Sequence, residues 1–212
     1  MKLKKIITEA VVKDNMFQIE GELKSMKSML IERMIIEGVD DPGILKCVFM
    51  AGGSGSGKGF VSSQLFGINA TINSSMASSG LKVIKSDSQF EAALKKHGID
   101  PKDLAKIERE DPELWNFISL NPDSLRNNGK KVTANQKKFY EEGRLGIIID
   151  GTGHDVGKII AMKKHAEDLG YDTAMVFVNT SLEIALLNNQ GRSRVLADDL
   201  VKKTWFEVQN NL

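Results

Sequence analysis

Four short apolar runs, separated by polar and amphipathic segments, set out the plan of the chain. They span residues 44–50, 81–86, 145–149 and 173–178. The gaps between them hold helical or loop patterns, and the longest gap contains a mostly helical insertion at about 89–142. Strands that alternate with helices are typical of a mainly parallel sheet covered on both faces. The pattern therefore predicts a three-layer α/β fold.

The first 41 residues follow a different pattern. Apolar side chains recur there at spacings of three and four, which predicts a helical extension over residues 3 to about 38. The stripe consists of Ile19, Leu23, Met26, Leu30 and Met34. A turn at 40–43 separates this extension from the first apolar run. We expect a helical extension at 1–41 and an α/β domain at 42–212.

The composition favours one soluble domain without a strong affinity for nucleic acid. A chain of 212 residues, 41% of them hydrophobic, can bury one full core. The 29 basic residues nearly balance the 28 acidic ones, so no broad basic surface is expected. The charged N-terminus lacks a long apolar core, which predicts a cytoplasmic protein without a signal peptide or membrane span. The single cysteine, Cys47, is expected to be a small buried hydrophobe.

A glycine-rich loop follows the first apolar run and precedes an amphipathic segment. Residues 52–58 fit the phosphate-cradling pattern G-x-x-x-x-G-K, in which Lys58 can reach the β- and γ-phosphates. Glycines let successive N–H groups turn inward, and the helix N-terminus attracts anions. The alternative is a flexible linker, but a linker has no reason to join a buried strand to a helix. The predicted phosphate-binding residues are Gly52, Gly53, Ser54, Gly55, Ser56, Gly57, Lys58, Gly59 and Phe60.

The residues after Lys58 depart from the commonest form of this motif. A serine or threonine there normally offers its hydroxyl to Mg²⁺, whereas this chain has Gly59 and Phe60. The metal must then be held by other oxygens, through water, or by Ser62 or Ser63. The departure weakens the predicted metal site and leaves the predicted phosphate site intact.

Aspartates follow the second and third apolar runs, at the sheet edge where open α/β proteins place their chemistry. Asp150 is predicted to hold Mg²⁺, directly or through water, although an Asp-Gly turn with Gly151 is the alternative. Asp87 is predicted to be the general base for an acceptor hydroxyl, and its alternative is a helix N-cap. No acidic residue follows Asp150, which argues against a motor-type ATPase.

Two arginines lie in a short segment after the fourth apolar run. The preceding helix breaks at Gly191, and Arg192 and Arg194 then stand two residues apart in a predicted lid at 188–200. Arginines that close over a transferring phosphoryl group stabilise its charge. The alternative is a pair of solvated surface arginines, which would contribute little.

Together these motifs resemble the small P-loop kinases of the adenylate-kinase, polynucleotide-kinase and zeta-toxin type. The resemblance extends from about residue 44 to 209 and rests on the Gly-Ser-Gly-Lys-Gly loop, the two aspartates and the arginine pair. The Asn-x-x-Arg-x-Arg stretch, with Trp205 downstream, is most similar to kinases encoded by tailed bacteriophages. The resemblance implies a P-loop NTPase fold in which the four apolar runs, taken as strands 1 to 4, have the order 2-3-1-4.

The same resemblance implies roles for the site residues. Lys58, Arg192 and Arg194 would bind the phosphates of ATP, and Asp87 would face the acceptor. His154 stands where nucleoside-monophosphate kinases have an arginine, which argues against such an acceptor. The group commonly has a further strand after the lid helix, so the chain is expected to be an incomplete copy of a longer protein. A phage-encoded protein would act in the host cytoplasm.

The leading functional hypothesis is an ATP- and Mg²⁺-dependent kinase that phosphorylates a hydroxyl on a small molecule or a polynucleotide end. A nucleotide-binding module without transfer activity is an alternative, because Gly59 offers no hydroxyl to the metal. A hydrolysing NTPase is a third hypothesis, which the residue after Asp150 disfavours. Nothing in the insertion at 89–142 identifies the acceptor.

Overall fold

A computed structural model gives the fold of the chain. It describes residues 7–9, 24–26, 28–29, 43–68, 77, 79–192 and 194–211. Most of the apolar stripe predicted near the N-terminus lies outside the described residues, as does Ser193 between the two lid arginines.

Within the described ranges, five parallel strands form one sheet. They are β1 (Ile7–Glu9), β2 (Lys46–Ala51), β3 (Lys82–Ile84), β4 (Ile147–Asp150) and β5 (Asp172–Asn179). Their order across the sheet is β1-β5-β2-β4-β3, and each neighbouring pair is parallel. Leaving β1 aside, this is the predicted order 2-3-1-4, which is confirmed. The strand that enters the glycine-rich loop lies at the centre of the sheet.

Helices surround the sheet and fill the insertion. The α-helices are α1 (Lys58–Phe66), α2 (Ser86–Lys96), α3 (Leu104–Glu110), α4 (Pro112–Trp115), α5 (Leu125–Glu142), α6 (Val156–Asp168), α7 (Leu182–Gln190) and α8 (Asp198–Gln209). A short 3₁₀ helix at Pro101–Asp103 and a π-helix at Asn116–Leu120 lie in the insertion. No helix in the described ranges is long and apolar enough to cross a membrane.

The core lies on both faces of the central strand. All six residues of β2 are buried, as expected of a parallel strand with helices on either side. On one face, Val48 and Met50 pack in a cluster with Leu65 of α1. On the other face, Phe49 packs in a second cluster with Ala166 of α6. The three-layer arrangement is therefore confirmed, and it fixes the position of the loop that β2 enters.

The N-terminal segment differs in part from the predicted helix. Ile7–Glu9 form a strand that pairs with the outer edge of β5. Two of these residues are β-branched and suit a strand, and the pairing covers backbone groups that β5 would otherwise expose. Residues 24–26 and 28–29 are helical as predicted, and Met26 packs in the cluster on the α1 face. The outer edge of β5 thus holds a strand from the N-terminus.

The insertion has an apolar core of its own. It is formed by Phe90, Leu94, Leu104, Ile118 and Leu125. Helices α2 and α5 approach closely at Gly129, where an added Cβ would lie 3.3 Å from the backbone nitrogen of Phe90. One turn later the buried hydroxyl of Thr133 donates to the Gly129 carbonyl at 2.8 Å. This close crossing brings the first turn of α5 beside Phe90.

Candidate active site

The glycine-rich loop joins β2 to α1 at the carboxyl edge of the sheet, and its glycines include positions that the fold requires. Gly55 has a φ of 78°, and an added Cβ would lie 2.1 Å from the carbonyl oxygen of Ala185 in α7. Gly57 has a φ of 86°, in the left-handed region that favours glycine. No described atom lies within 4 Å of a Cβ added at Gly57 or Gly59. The loop is therefore packed against α7 on one side and open at the start of α1.

Lys58 is the first residue of α1, and its side chain folds back over the loop. Its Nζ donates to the carbonyl oxygen of Gly52 at 2.7 Å and to that of Gly53 at 3.0 Å. The amine thus lies above the curl of backbone that the motif predicts as the phosphate site. It is held there by neutral carbonyls, which a phosphate oxygen can replace as a stronger, charged partner.

Charged side chains from several elements surround the Lys58 amine. Burial is the main cause that lowers the pKa of Lys58. The negative charge of Asp150 raises this pKa, and Asp87 does so more weakly. The positive charges of Arg192 and Lys85 lower the same pKa. Asp150, Asp87 and Arg192, all predicted from the sequence, therefore lie within electrostatic reach of Lys58.

Asp150 is the last residue of β4, beside Met50 of the central strand. Its Oδ2 lies 3.5 Å from Nζ of Lys85, and the carboxylate is mostly buried. Among the described residues, no group of three or more His, Cys, Asp or Glu side chains is arranged to hold a metal ion. Ser62, a candidate second ligand, donates its hydroxyl to the Gly59 carbonyl at 3.1 Å. Asp150 is thus a mostly buried carboxylate at this edge of the sheet, paired with Lys85.

Asp87 does not lie at a strand end. Strand β3 stops at Ile84, and Asp87 is the second residue of α2. The helix N-cap is Lys85, so Asp87 is not the N-cap that the alternative predicted. The chain turns into the helix earlier than predicted, and its positive N-terminal end stabilises a carboxylate in the first turn. Asp87 forms an ion pair with Arg194, whose Nη2 lies 3.3 Å from its Oδ1.

Two neighbouring asparagines hold the segment with the lid arginines in place through hydrogen bonds. Asn189 is fully buried, and its side-chain amide donates to the Leu196 carbonyl and accepts from the Leu196 N–H, at 2.8 and 3.0 Å. Asn188 donates to the Gly55 carbonyl at 2.8 Å, which ties the end of α7 to the glycine-rich loop. Arg192 is exposed, whereas Arg194 is mostly buried against α2. The two arginines therefore face different surroundings.

The residues after Asp150 have mainly structural contacts. The exposed His154 ring contacts the Thr152 hydroxyl through Nδ1. Asp155 accepts from the Lys158 N–H at 2.9 Å and caps α6. The side chain of Asn211 donates to the His154 carbonyl at 2.7 Å, so the end of α8 holds this loop in place.

Two charged residues at the site were missed by the sequence analysis. Lys85 pairs with Asp150, and its place directly after a strand was a signal that could have found it. Arg126 lies in the first turn of α5, with its guanidinium carbon 4.9 Å from the centre of the Phe90 ring. No sequence motif marks Arg126, because the crossing of α5 over α2 alone brings it to the site.

Comparisons with known proteins give a distant structural neighbour. No known protein family matches the sequence. No curated protein matches it either. Among solved structures, the fold is similar to a chain from the structural characterisation of the PezAT chromosomal toxin–antitoxin system of Streptococcus pneumoniae. The two are 14% identical with a TM-score of 0.46, and the match covers 85% of this chain and 62% of that one.

Proposed function

We propose that the chain is an ATP-dependent phosphotransferase that moves the γ-phosphoryl group of ATP to a hydroxyl on a small molecule or a polynucleotide end. The observation that carries this proposal is the convergence of charged groups on Lys58. Asp150 ends β4, Asp87 opens α2 and Arg192 follows α7, and each of them changes the pKa of Lys58. A phosphate-binding lysine beside carboxylates and an arginine supplies the parts that phosphoryl transfer needs.

The loop fits the phosphates of ATP. The Ser56 hydroxyl is buried and has no hydrogen-bond partner among the described residues. Space is open beside Gly57 and Gly59, where a side chain would otherwise intrude. A phosphate oxygen would give the hydroxyl and the Lys58 amine the strong acceptor that they lack. These features support the loop as the binding site for the β- and γ-phosphates.

Asp150 would hold Mg²⁺ together with the phosphates. Mg²⁺ in such sites is bound by one or two carboxylates, with the remaining positions filled by phosphate oxygens and water. One mostly buried carboxylate therefore fits this cation, and Lys85 now provides the positive charge beside it. When bound, the ion would neutralise part of the negative charge on the phosphates.

Asp87 would act on the acceptor. The acceptor hydroxyl gives its proton to the Asp87 carboxylate while its oxygen bonds to the γ-phosphorus. The bond from the γ-phosphorus to the bridging oxygen breaks, and ADP leaves. Arg194, which pairs with Asp87, would exchange this partner for the transferring phosphoryl group. Arg192 would stabilise the same charge from the loop side.

A nucleotide-binding module without transfer activity is the second candidate. It is favoured by the absence of a hydroxyl at Gly59 and Phe60 and by the contact that occupies the Ser62 hydroxyl. Such a protein would bind ATP through the loop and Lys58 but hold the metal weakly.

Incubation with ATP labelled in the γ-phosphate separates these functions. We expect label on one member of a panel of nucleosides, sugars and 5′-hydroxyl oligonucleotides, with loss of transfer in a Lys58→Met variant. Stoichiometric ATP binding with neither transfer nor phosphate release would favour the silent module. Release of labelled phosphate without an acceptor would identify a hydrolysing NTPase. Absence of ATP binding would refute all three.

A further inference from the structure

Two arginines from different elements approach the same aromatic ring. The guanidinium carbon of Arg126, in α5, lies 4.9 Å from the centre of the Phe90 ring, and that of Arg194, in the lid segment, lies 5.8 Å from it. Asp87, one turn before Phe90 on α2, contacts Arg194 at 3.3 Å. The arginines and the proposed base therefore meet where the insertion faces the lid.

These guanidiniums have few partners. The Nε atom of each arginine is buried and has no hydrogen-bond partner within the described part of the chain. Burial lowers the pKa of Arg126, and the charge of Arg194 lowers it further. Asp87 and, more weakly, Glu108 oppose this shift in pKa. Within the described ranges, Asp87 is the carboxylate that contacts Arg194, and both arginines lie near the Phe90 ring, so two like charges are held close with little compensation.

The place of Arg126 is not explained by the stability of its helix. It lies in the first turn of α5, where the helix dipole makes a positive charge unfavourable. Its position follows from Gly129, one turn later, which lets α5 approach α2 closely. A guanidinium held by the fold in an unfavourable place, with an unsatisfied buried N–H, is suited to an anionic ligand.

We propose that Arg126 binds an anionic, phosphate-bearing part of the acceptor, beside Arg194 and the hydroxyl that Asp87 deprotonates. This inference deepens the proposed function and rests on it. Guanidinium groups bind phosphate through their planar fork of N–H donors, and the cation–π contact with Phe90 helps to hold that of Arg126 in place. The acceptor is therefore a hydroxyl compound that already carries phosphate, such as a sugar phosphate or a nucleic-acid end, and a neutral sugar or nucleoside is a poor one.

The anion site can be tested by binding without turnover. The N–H resonances of the arginine side chains are followed by NMR in protein saturated with a non-hydrolysable ATP analogue, while inorganic phosphate is added. We expect the Arg126 Nε–H signal, assigned by its loss in Arg126→Lys, to shift and saturate. Arg109, an arginine of the same insertion whose Nε donates to the Ala105 carbonyl, should not shift. An unchanged Arg126 signal, or an equal shift with chloride, would overturn the proposal.

Failure of the proposed function gives a different result in this experiment. If the ATP analogue does not bind, the function is wrong, and the same phosphate titration of the Lys58→Met protein still tests the Arg126 site. Saturable binding there would support an anion site that is independent of the glycine-rich loop. Absence of binding there would refute the site.

Acceptor choice gives the second test. Labelled ATP is offered with matched pairs of neutral and phosphorylated compounds, glucose with glucose 6-phosphate and adenosine with adenosine 3′-monophosphate. We expect the phosphorylated member to have the higher kcat/KM, and Arg126→Met to reduce that value by roughly 10- to 100-fold, the effect of losing a charged hydrogen bond. The affinity for ATP should not change. Equal use of both members, or an Arg126→Met protein with weakened ATP binding instead, would contradict the proposal.

Discussion

Individual charged residues at the site each contact another group of the protein. Lys58 donates to loop carbonyls, Lys85 pairs with Asp150, and Arg194 pairs with Asp87. Each contact joins a group proposed to bind phosphate or metal to another protein group. In each of the two ion pairs one partner, Lys85 or Asp87, is largely open to solvent, so the pair contributes little to stability and can be replaced at low cost. We expect substitutions at these positions to change function more than folding.

Lys58→Met should weaken ATP binding without destabilising the fold. Loss of a charged hydrogen bond to phosphate should reduce ATP affinity by roughly 10- to 100-fold in calorimetry. The folded state lowers the pKa of Lys58, so it binds this proton less tightly than the unfolded state does, and the charge costs stability at neutral pH. The melting temperature should therefore stay the same or rise. Unchanged ATP affinity would show that the loop has another role.

Asp87→Asn should remove the proposed base while leaving the structural contacts of this side chain largely intact. The amide keeps the shape but cannot accept a proton, so transfer should fall by roughly 10²–10⁴ while ATP still binds. Half of the Asp87 side chain is exposed, and its ion pair with Arg194 should contribute little to stability. Asp100→Asn, an exposed aspartate elsewhere in the insertion, serves as the control. Full activity of Asp87→Asn on an acceptor that the wild type phosphorylates would place the base elsewhere.

At the scale of elements, the lid segment depends on a buried asparagine. Asn189 satisfies both backbone groups of Leu196, which fixes the segment between α7 and α8. Asn189→Ala should leave these groups unpaired and lower the free energy of unfolding by about 1–3 kcal/mol. Asn128→Ala removes an exposed amide that donates to the Asp123 carbonyl and should be nearly neutral. Equal effects of the two substitutions in urea unfolding would contradict the assigned role.

Elements that are specified by neighbouring residues could be predicted from the sequence, whereas contacts between distant segments could not. The central strands are apolar runs in the sequence, and the loop at 52–58 is a local motif, so both were predicted. The position of Asp87 was misjudged, because the chain enters α2 directly after Ile84. Arg126 was missed because it belongs to a polar helix and reaches the site only through the contact of α5 with α2. The small residues Gly129 and Thr133 lie where the two helices approach closely, but no motif marks Arg126 itself.

For the whole molecule, the N-terminal segment is part of the fold. β1 covers the edge of β5, and Met26 packs in the core cluster beside α1. We expect deletion of residues 1–41 to lower the melting temperature and promote association, because an exposed strand edge pairs with other chains. A truncated protein that stays monomeric with an unchanged melting temperature, measured by calorimetry and size-exclusion chromatography, would contradict this.

The one thiol in the chain makes the protein a convenient subject for labelling. Cys47 is completely buried in β2, and burial raises its pKa to about 12. Because thiolates are the reactive form, maleimides and disulfide reagents should leave the native protein unmodified. Modification of Cys47 should occur only when the sheet opens, so the rate of modification would report how often the protein unfolds globally. Dyes attached to cysteines introduced at Ala197 and Asp123 could therefore follow the distance between lid and insertion during turnover, with no native residue to remove first.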